Sequence, residues 1–171
     1  MTRASNIDKA ALFSVLPRLR KFAYSLTGNL PDADDLLQNT VERALTRNPP
    51  QEDAEALARW LFTVCRNLWV DEIRARKVRG LDDPAPADVE AQGSDGEPEL
   101  MGVLQARELE QAMQSLSEDH RVILMLVAVE GYSYREAAEL LDVPVGTVMS
   151  RLARARSQLA ESLGDGNNSP P

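Results

Sequence analysis

The chain has 171 residues, of which 43% are hydrophobic, 27% charged and 5% aromatic, and its formal net charge is −8. That length suits one ordinary domain or two small ones, and a core so poor in aromatic side chains must consist mainly of Leu, Val and Ala, which favours helices. The single cysteine, Cys65, excludes an internal disulfide and a multi-cysteine metal site, and no stretch approaches about 18 uncharged apolar residues, so no membrane span is expected.

Near the start, Asp8 and Lys9 precede only a short apolar run, which is unlike a secretory signal, so we expect a soluble cytoplasmic protein. The first predicted helix starts here, because Ser5 with Asp8 three residues later suits a helix start. Pro17 interrupts its apolar spacing, so we expect a kink or a restarted helix, and the tripeptide TGN at 27–29 is predicted to end it. The expected buried face is Leu12, Leu16, Leu19, Phe22 and Leu26.

Two further helices are predicted before residue 80. PDADDLLQNTVERAL carries acids in its first turn, where the helix dipole favours them, with an apolar face of Ala33, Leu36, Leu37, Thr40, Val41 and Ala44. Two prolines in RNPPQEDAE then separate it from a long helix, ALARWLFTVCRNLWVDEIRARKVR, whose expected buried stripe is Leu57, Leu61, Val64 and Leu68. A second stripe shares another side of this helix and consists of Trp60, Asn67, Asp71 and Arg74.

The acidity is concentrated in residues 81–100, LDDPAPADVEAQGSDGEPEL. Positions 81 to 106 hold seven acidic residues and no basic one, and the segment is rich in Pro, Gly and Ala without apolar periodicity. Such a composition cannot bury enough apolar surface to offset its ordering entropy. We therefore expect a flexible linker between two helical domains, and a disordered tail at 164–171.

The following segment, 101–163, predicts a second helical domain. A helix is expected to end near Leu116, after which Ser117 suits an N-cap, with Glu118 and Asp119 in the first turn of the next helix. The apolar run VILMLVAV fits either a buried strand or a buried helix, and the cap before it and Gly131 after it favour the helix.

Two short helices joined by a tight connection, the second one basic, then form a helix-turn-helix pattern. Ser133 and Glu136 have the spacing of a capping box at the start of the first helix. Asp142 stands where the turn requires a left-handed backbone, and Pro144 fits the first turn of the second helix. Ala137 and Ala138 are small, so the second helix can cross closely, and the expected shared core is Leu141, Val145, Val148 and Leu152.

The second helix of this pair, VPVGTVMSRLARAR, carries three arginines and no acid. Arginine presents paired donors to guanine edges and phosphates, and Ser and Thr present shorter ones. The predicted DNA contacts are Arg135, Thr147, Met149, Ser150, Arg151, Arg154 and Arg156. The alternative is that the arginines form the solvated face of an amphipathic helix.

Three stretches together resemble the two-domain extracytoplasmic-function (ECF) sigma factors of bacterial RNA polymerase. GYSYREAAELLDVPVGTVMSRLARAR resembles their promoter-reading domain, PDADDLLQNTVERAL their polymerase-binding helix, and WLFTVCRNLWVDEIRARKVR their promoter-melting helix. The resemblance covers residues from about 20 to 160, with the motifs in the family's order. It implies an all-α fold with an N-terminal domain at 1–80, a flexible acidic linker at 81–100 and a helix-turn-helix domain at 101–163 that reads the minus-35 element.

The resemblance also assigns roles to individual residues. Core RNA polymerase would contact Asp34, Asp35, Leu36 and Gln38, and the minus-10 element of promoter DNA would contact Trp60, Asn67, Asp71, Arg74, Arg76, Lys77 and Arg79. Stabilisation of a helix N-terminus stays open for Asp34 and Asp35, and core packing stays open for Trp60. Asn67 and Asp71 have the alternative of bracing the face of the helix. The loop 47–58 matches the family's base-capturing loop, although it is acidic and lacks the aromatic residue often found there.

Departures from the family pattern occur at Asp142, where glycine is usual, and at Met149, where lysine is common. The acidic linker would mimic RNA in the polymerase or serve only as a soluble tether. Partners implied by the resemblance are core RNA polymerase, promoter DNA and an anti-sigma factor.

Nothing in the sequence favours an enzyme, a metal site or a cofactor. His120 and Cys65 are each the only residue of their kind, so we interpret them as an exposed polar residue and a small core residue. Two alternatives to a sigma factor remain. A sigma-like decoy that binds an anti-sigma factor usually accompanies a receiver domain, for which the chain has no room, and an ordinary helix-turn-helix repressor leaves the N-terminal half unexplained.

Overall fold

A computed structural model describes residues 7–47, 49–50, 53–80 and 100–165, with side chains from 106 to 164 in the last segment. Every regular element in these ranges is helical, and the helices fall into two compact units. The all-α, two-domain fold expected from the sequence is therefore confirmed. The predicted linker before Leu100 and the tail beyond residue 165 lie outside the described residues.

The first unit consists of α1 (Lys9–Thr27), α2 (Leu30–Thr46) and α3 (Ala54–Val78), each packed against the other two. Side-chain caps begin all three helices: the carboxylate or amide oxygens of Asp8, Asn29 and Asp53 accept backbone N–H donors of the first turn. Gly28 ends α1 in the left-handed conformation, with φ of 76°, as the TGN tripeptide predicts.

Helix α1 runs through Pro17 as one continuous helix, which excludes the expected restart, while the alternative of a kink stays a prediction. A proline in a helix interior removes one backbone hydrogen bond, which destabilises the helix locally. Here Val15 and Leu19 are fully buried on either side of the proline, and their burial in the same core keeps both halves in one helix.

The core of the first unit centres on the stacked rings of Phe22 and Phe62, whose centroids are 4.8 Å apart. Buried hydroxyls are satisfied locally, because Ser25 donates to the Phe22 carbonyl and Thr40 to the Leu36 carbonyl. At the rim, the Arg18 guanidinium lies 5.9 Å from the Phe62 ring centre and donates to the Glu55 carboxylate at 2.8 Å. That hydrogen bond, the main cause, holds the pKa of Glu55 below its usual value.

The buried face of α3 differs from the predicted stripe. Leu57 and Leu61 are buried as expected, whereas Val64 and Leu68 are only half-buried. Because α3 contacts both α1 and α2, its buried face is wide and extends to a neighbouring set of positions, namely Ala58, Phe62, Cys65 and Trp69.

In the second unit lie α4 (Leu100–Ser115), α5 (Glu118–Leu124), a π-helical turn (Met125–Val129), residues 134–138 of α6 (Tyr134–Leu141), and α7 (Val145–Asp165). Both α4 and α5 pack against α7. The apolar run VILMLVAV is helical, as predicted, and Ser117 caps α5 through its hydroxyl. Val129, the last residue of this apolar run, is exposed, so the run reaches the protein surface at its end.

None of the described helices has the length and apolarity that crossing a membrane requires.

Cys65 is completely buried, and burial raises the pKa of its thiol from 9.0 to about 12. Below pH 9 both the folded and the unfolded protein hold the thiol proton, so this contribution to stability is fully present. Between pH 9 and 12 the unfolded chain releases the proton first, and the free energy of unfolding falls by about 1.4 kcal/mol per pH unit from this group. We expect Cys65→Ala to lose stability less steeply than the wild type between pH 9 and 11, as measured by urea unfolding. Parallel profiles for the two proteins would contradict this expectation.

Candidate polymerase and nucleic-acid interfaces

The exposed side of α2 carries most of the residues predicted to contact polymerase. Asp34, Asp35 and Gln38 are exposed, whereas Leu36 is only 5% exposed and packs into the interior of the first unit. Asp34 accepts a hydrogen bond from Arg20 Nε at 3.0 Å, so its carboxylate is engaged with α1. Asp35, which has no ion pair among the described residues, is therefore the carboxylate of the two that is available to a partner.

Asp32, and not Asp34, is the acidic residue placed to stabilise the dipole of α2. The helix begins at Leu30, with Asn29 as its cap, and Asp32 is the acidic residue of its first turn. Asp34 lies beyond that turn, where the effect of the helix dipole has fallen off. The helix-terminus alternative for Asp34 is therefore disfavoured.

The end of α3 contains a network around Arg76. Its guanidinium lies 3.1 Å from Glu72 Oε1 and 3.4 Å from Asp32 Oδ1, and it sits 5.2 Å from the centre of the Trp69 ring. Hydrogen bonds to Glu72 first and Asp32 second raise the pKa of Arg76 above its usual value. Arg79 contacts the same Glu72 at 3.3 Å. This network joins the basic end of α3 to the first turn of α2.

Helix geometry separates the predicted minus-10 residues into two groups. At about 100° per residue, Trp60, Asn67, Asp71 and Arg74 share one side of α3, and the last three are exposed. Arg76 is two residues beyond Arg74 and therefore about 160° away, on the side that packs against α2. Lys77 is exposed on a flank next to the first group.

Two further arginines lie on that flank of α3 and are not among the minus-10 residues predicted from the sequence. Arg59 and Arg66 are two helical turns apart, and Lys77 lies three turns further along the same flank of α3. Arg59 is exposed and Arg66 is half-exposed. A search for basic residues at spacings of seven and eleven would have found them.

The two tryptophans of α3 have different environments. Trp60 is half-buried, so neither core packing nor surface contact describes it fully. Trp69 is 7% exposed and lines a cleft of about 450 Å³ between α2 and α3, which Asp35, Arg43 and Asp71 also border. Its indole nitrogen is buried without a hydrogen-bond partner among the residues that the structure describes.

The predicted base-capturing loop is shorter than its sequence indicates. Helix α3 begins at Ala54, so residues 54–58 are helical, and Leu57 and Ala58 are buried. Asp53 provides the cap, accepting a hydrogen bond from the Ala56 N–H at 2.7 Å. Residues 48, 51 and 52 lie outside the described part of the chain.

The start of α6 and the turn between α6 and α7 both have the geometry that the sequence predicts. Ser133 Oγ accepts from the Glu136 N–H at 3.1 Å, and the Glu136 carboxylate accepts from the Ser133 N–H at 3.4 Å, which completes a capping box. Asp142 has φ of 54°, the left-handed conformation that favours glycine or a short acidic side chain. The Val143 N–H then donates to the Ala138 carbonyl at 3.1 Å.

One residue of the predicted helix-turn-helix core is wrong. Val145 is 40% exposed, because it is the first residue of α7 and the buried positions of that helix begin at Val148. The remaining predicted core positions are buried, and Ala155 extends the buried face of α7 by one further turn.

The outward residues of α7 occupy two sides of the helix. Thr147, Ser150, Arg151 and Arg154 lie on one side, whereas Met149 and Arg156 lie on the other, about 160° from Arg154. Met149, Ser150, Arg154 and Arg156 are exposed, as is Arg135 in α6, and Thr147 and Arg151 are half-buried. Arg151 also contacts Asp119 of α5, with Nη1 3.6 Å from Oδ1.

His120 is more than an exposed polar residue. It is half-buried, and its Nδ1 lies 2.9 Å from Gln158 Oε1 of α7, which links the two helices. Within the described ranges, no group of three or more His, Cys, Asp or Glu side chains could hold a metal ion.

Comparisons with known proteins identify two family regions in this chain. Residues 13–79 match the family described as sigma-70 region 2, and residues 106–159 match sigma-70 region 4. The ECF RNA polymerase sigma factor EcfG of Rhodopseudomonas palustris is 38% identical over 152 residues, which cover 89% of this chain and 82% of that relative. SigE of Mycolicibacterium smegmatis is 34% identical over 148 residues, covering 85% of this chain and 57% of its own length.

A solved structure is similar along almost the whole chain. The sigma factor RpoE of Bartonella quintana, crystallised with the anti-sigma factor NepR, superposes with a TM-score of 0.68 at 32% identity, covering 91% of this chain and 96% of that one. The fold and these matches define a two-domain transcription initiation factor. The chain belongs to the ECF sigma factors, which bind core RNA polymerase and direct it to promoters.

The Arg76 network predicts that two nearby arginines differ in their effect on stability. Arg76→Ala removes two ion pairs and the contact with Trp69, so we expect the free energy of unfolding to fall by roughly 1–2 kcal/mol, after allowing for partial exposure of the pairs. Arg74→Ala changes an exposed position on the other side of α3 and should alter stability by less than about 0.5 kcal/mol. Urea unfolding of both variants measures the difference, and equal losses would contradict the assignment of Arg76 to the network.

Proposed function

We propose that α2 docks the protein on core RNA polymerase, that α3 contacts the minus-10 element, and that α7 reads the minus-35 element. The corresponding domains are residues 1–80 and 101–163, with 81–100 as the linker between them. The single observation that carries this proposal is the helix-turn-helix geometry around Asp142, which leaves the donors of Ser150 and Arg154 exposed on the second helix.

The exposure of the side chains on α2 reduces the four predicted polymerase-docking residues to two. Asp35 and Gln38 are exposed on α2, and Asp35 also borders the cleft toward α3. Asp34 contributes through its ion pair with Arg20, which ties α2 to α1, and the buried Leu36 supports the helix from inside. We therefore assign direct contact to Asp35 and Gln38.

The minus-10 contacts fall on the exposed side and the basic flank of α3. Asn67, Asp71 and Arg74 present hydrogen-bonding groups on one side, and Lys77 presents a charge beside them. Arg59 and Arg66 extend this flank toward Trp60, giving a basic edge that follows the helix. Arg76 and Arg79 support the end of the helix through Glu72.

The minus-35 contacts use both sides of α7. A helix in the major groove of DNA faces base edges with its leading side and approaches the phosphate backbones with its flanks. Thr147, Ser150, Arg151 and Arg154 form one such side. Met149 and Arg156 reach the opposite wall, and Arg135 at the start of α6 holds a phosphate.

Regulation and location follow from the family. The related RpoE was crystallised with an anti-sigma factor, and we infer that this chain also has an anti-sigma partner. Its work with polymerase supports a cytoplasmic location, which we include in the proposal. It acts by binding, with no catalytic step and no cofactor.

The function is tested by run-off transcription. Purified full-length protein is combined with bacterial core RNA polymerase and a library of fragments from the genome that encodes it. We expect a small set of fragments to yield products that require the protein. A preparation that binds an anti-sigma factor but yields no promoter-dependent product would favour the decoy interpretation instead.

Asp35→Ala should weaken core binding, because it removes an exposed carboxylate from the docking surface. A lost charged hydrogen bond corresponds to roughly tenfold in affinity, measured by fluorescence anisotropy of labelled protein with core polymerase. Asp34→Ala is the matched control and should change the affinity by less than about threefold. Equal effects of both substitutions would remove the distinction between the two acids.

Arg151→Ala should weaken transcription from the strongest promoter fragment by about tenfold, since a base contact with paired donors is lost. Core binding by the variant should match the wild type, because Arg151 lies in the second unit and away from α2 along the chain. Loss of core binding by this variant would count against the assignment of the two domains.

A further inference from the structure

Arg151 lies within ion-pair distance of a carboxylate from a neighbouring helix. Its Nη1 lies 3.6 Å from Asp119 Oδ1, in the first turn of α5. The Arg151 side chain is 31% exposed and that of Asp119 is 62% exposed, so the pair lies at the edge of the buried interface. Arg154, one turn further along α7, is exposed to solvent.

The first turn of α5 is fixed alongside α7. The Ser117 hydroxyl caps this turn, and Arg121 Nη1 donates to the Leu116 carbonyl at 2.7 Å, which holds the connection from α4. His120 contacts Gln158, which lies two helical turns beyond Arg151 on the same side of α7. Neighbouring residues of α5 thus face two points on one side of α7, which places the backbone of Asp119 beside Arg151.

A carboxylate beside an arginine changes which DNA groups the arginine recognises. The guanidinium is a planar group with five N–H donors, and one contact to Asp119 leaves other donors available for DNA. Restricting the side chain favours a base edge that requires two aligned donors, because less rotamer freedom is lost on binding. The negative charge simultaneously weakens attraction to phosphates, which depends on charge alone and carries no sequence information.

We propose that Asp119 is a positioning residue that sets promoter specificity by holding Arg151 toward a guanine edge in the minus-35 element. This inference rests on the proposed function of α7. Asp119 does not touch the base in this account; it orients Arg151 and disfavours a nonspecific phosphate contact by the same side chain. A purely structural role for the ion pair would affect stability without changing preference at any one base pair.

The test uses holoenzyme formed from core polymerase and the full-length chain. The template is the fragment with the strongest run-off product, with its six minus-35 base pairs randomised and its minus-10 element unchanged. Sequencing of barcoded transcripts gives the base preference at each position. We expect Arg151→Ala and Asp119→Asn to lower the preference for guanine at the same base pair, by about fivefold or more. Asp119→Glu keeps the charge and should retain much of the preference.

Controls separate orientation from a general effect of charge. Glu118→Gln removes one negative charge from the same turn of α5 and should leave the base preference at every position as in the wild type. In the Arg151→Ala background, Asp119→Asn should produce no additional change in preference, because the residue through which it acts is absent. Circular dichroism melting confirms that each variant is folded, and the exposed Asp119 side chain makes Asp119→Asn a mild change.

Each outcome decides the inference. Loss of preference at one shared base pair in Arg151→Ala and Asp119→Asn supports it. Relaxation in Arg151→Ala alone, equal effects of Glu118→Gln and Asp119→Asn, or unchanged preference in both Arg151→Ala and Asp119→Asn would overturn it while leaving the proposed function in place. No promoter-dependent transcript from the wild type would instead count against the proposed function itself.

Discussion

Burial of one side of α3 against both α1 and α2 is the constraint on which the first unit depends. Stacking of Phe22 on Phe62 anchors that packing, and small residues such as Ala58 and Cys65 allow the helices to approach closely. Because an α-helix turns by about 100° per residue, fixing the buried side also fixes which charged residues point outward. Arg74 and Arg76 are close in sequence, yet one is exposed and the other joins α3 to α2.

The same geometric rule governs α7. Burial of Val148, Leu152 and Ala155 directs Ser150 and Arg154 away from the core. Arg156 points to the other side, so the three arginines do not form one patch. A helix with this distribution presents different groups to the two walls of a DNA groove, which suits recognition better than nonspecific adhesion.

Ion pairs at the edges of the two cores connect the proposed binding surfaces with the helices that support them. Arg20 engages Asp34, and Arg76 engages Asp32 and Glu72, so α2 is held by both of its neighbours. In the second unit Asp119 reaches Arg151 across the packing of α5 against α7. The single exposed pairs, Arg20 with Asp34 and Arg151 with Asp119, add little to stability, and their main consequence is to decide which charged side chains remain available to a partner.

The sequence by itself determined the local features of this protein. The caps at Ser117 and Ser133 and the left-handed position of Asp142 depend on interactions within a few residues, and the structure confirms them. Spacing did not show that Trp69 is the buried tryptophan, that Val145 is exposed, or that Arg76 and Arg151 face acids on other helices. Only the tertiary structure decided these points, because the rotation of each helix and the identity of its neighbours depend on contacts between residues that are distant in the chain.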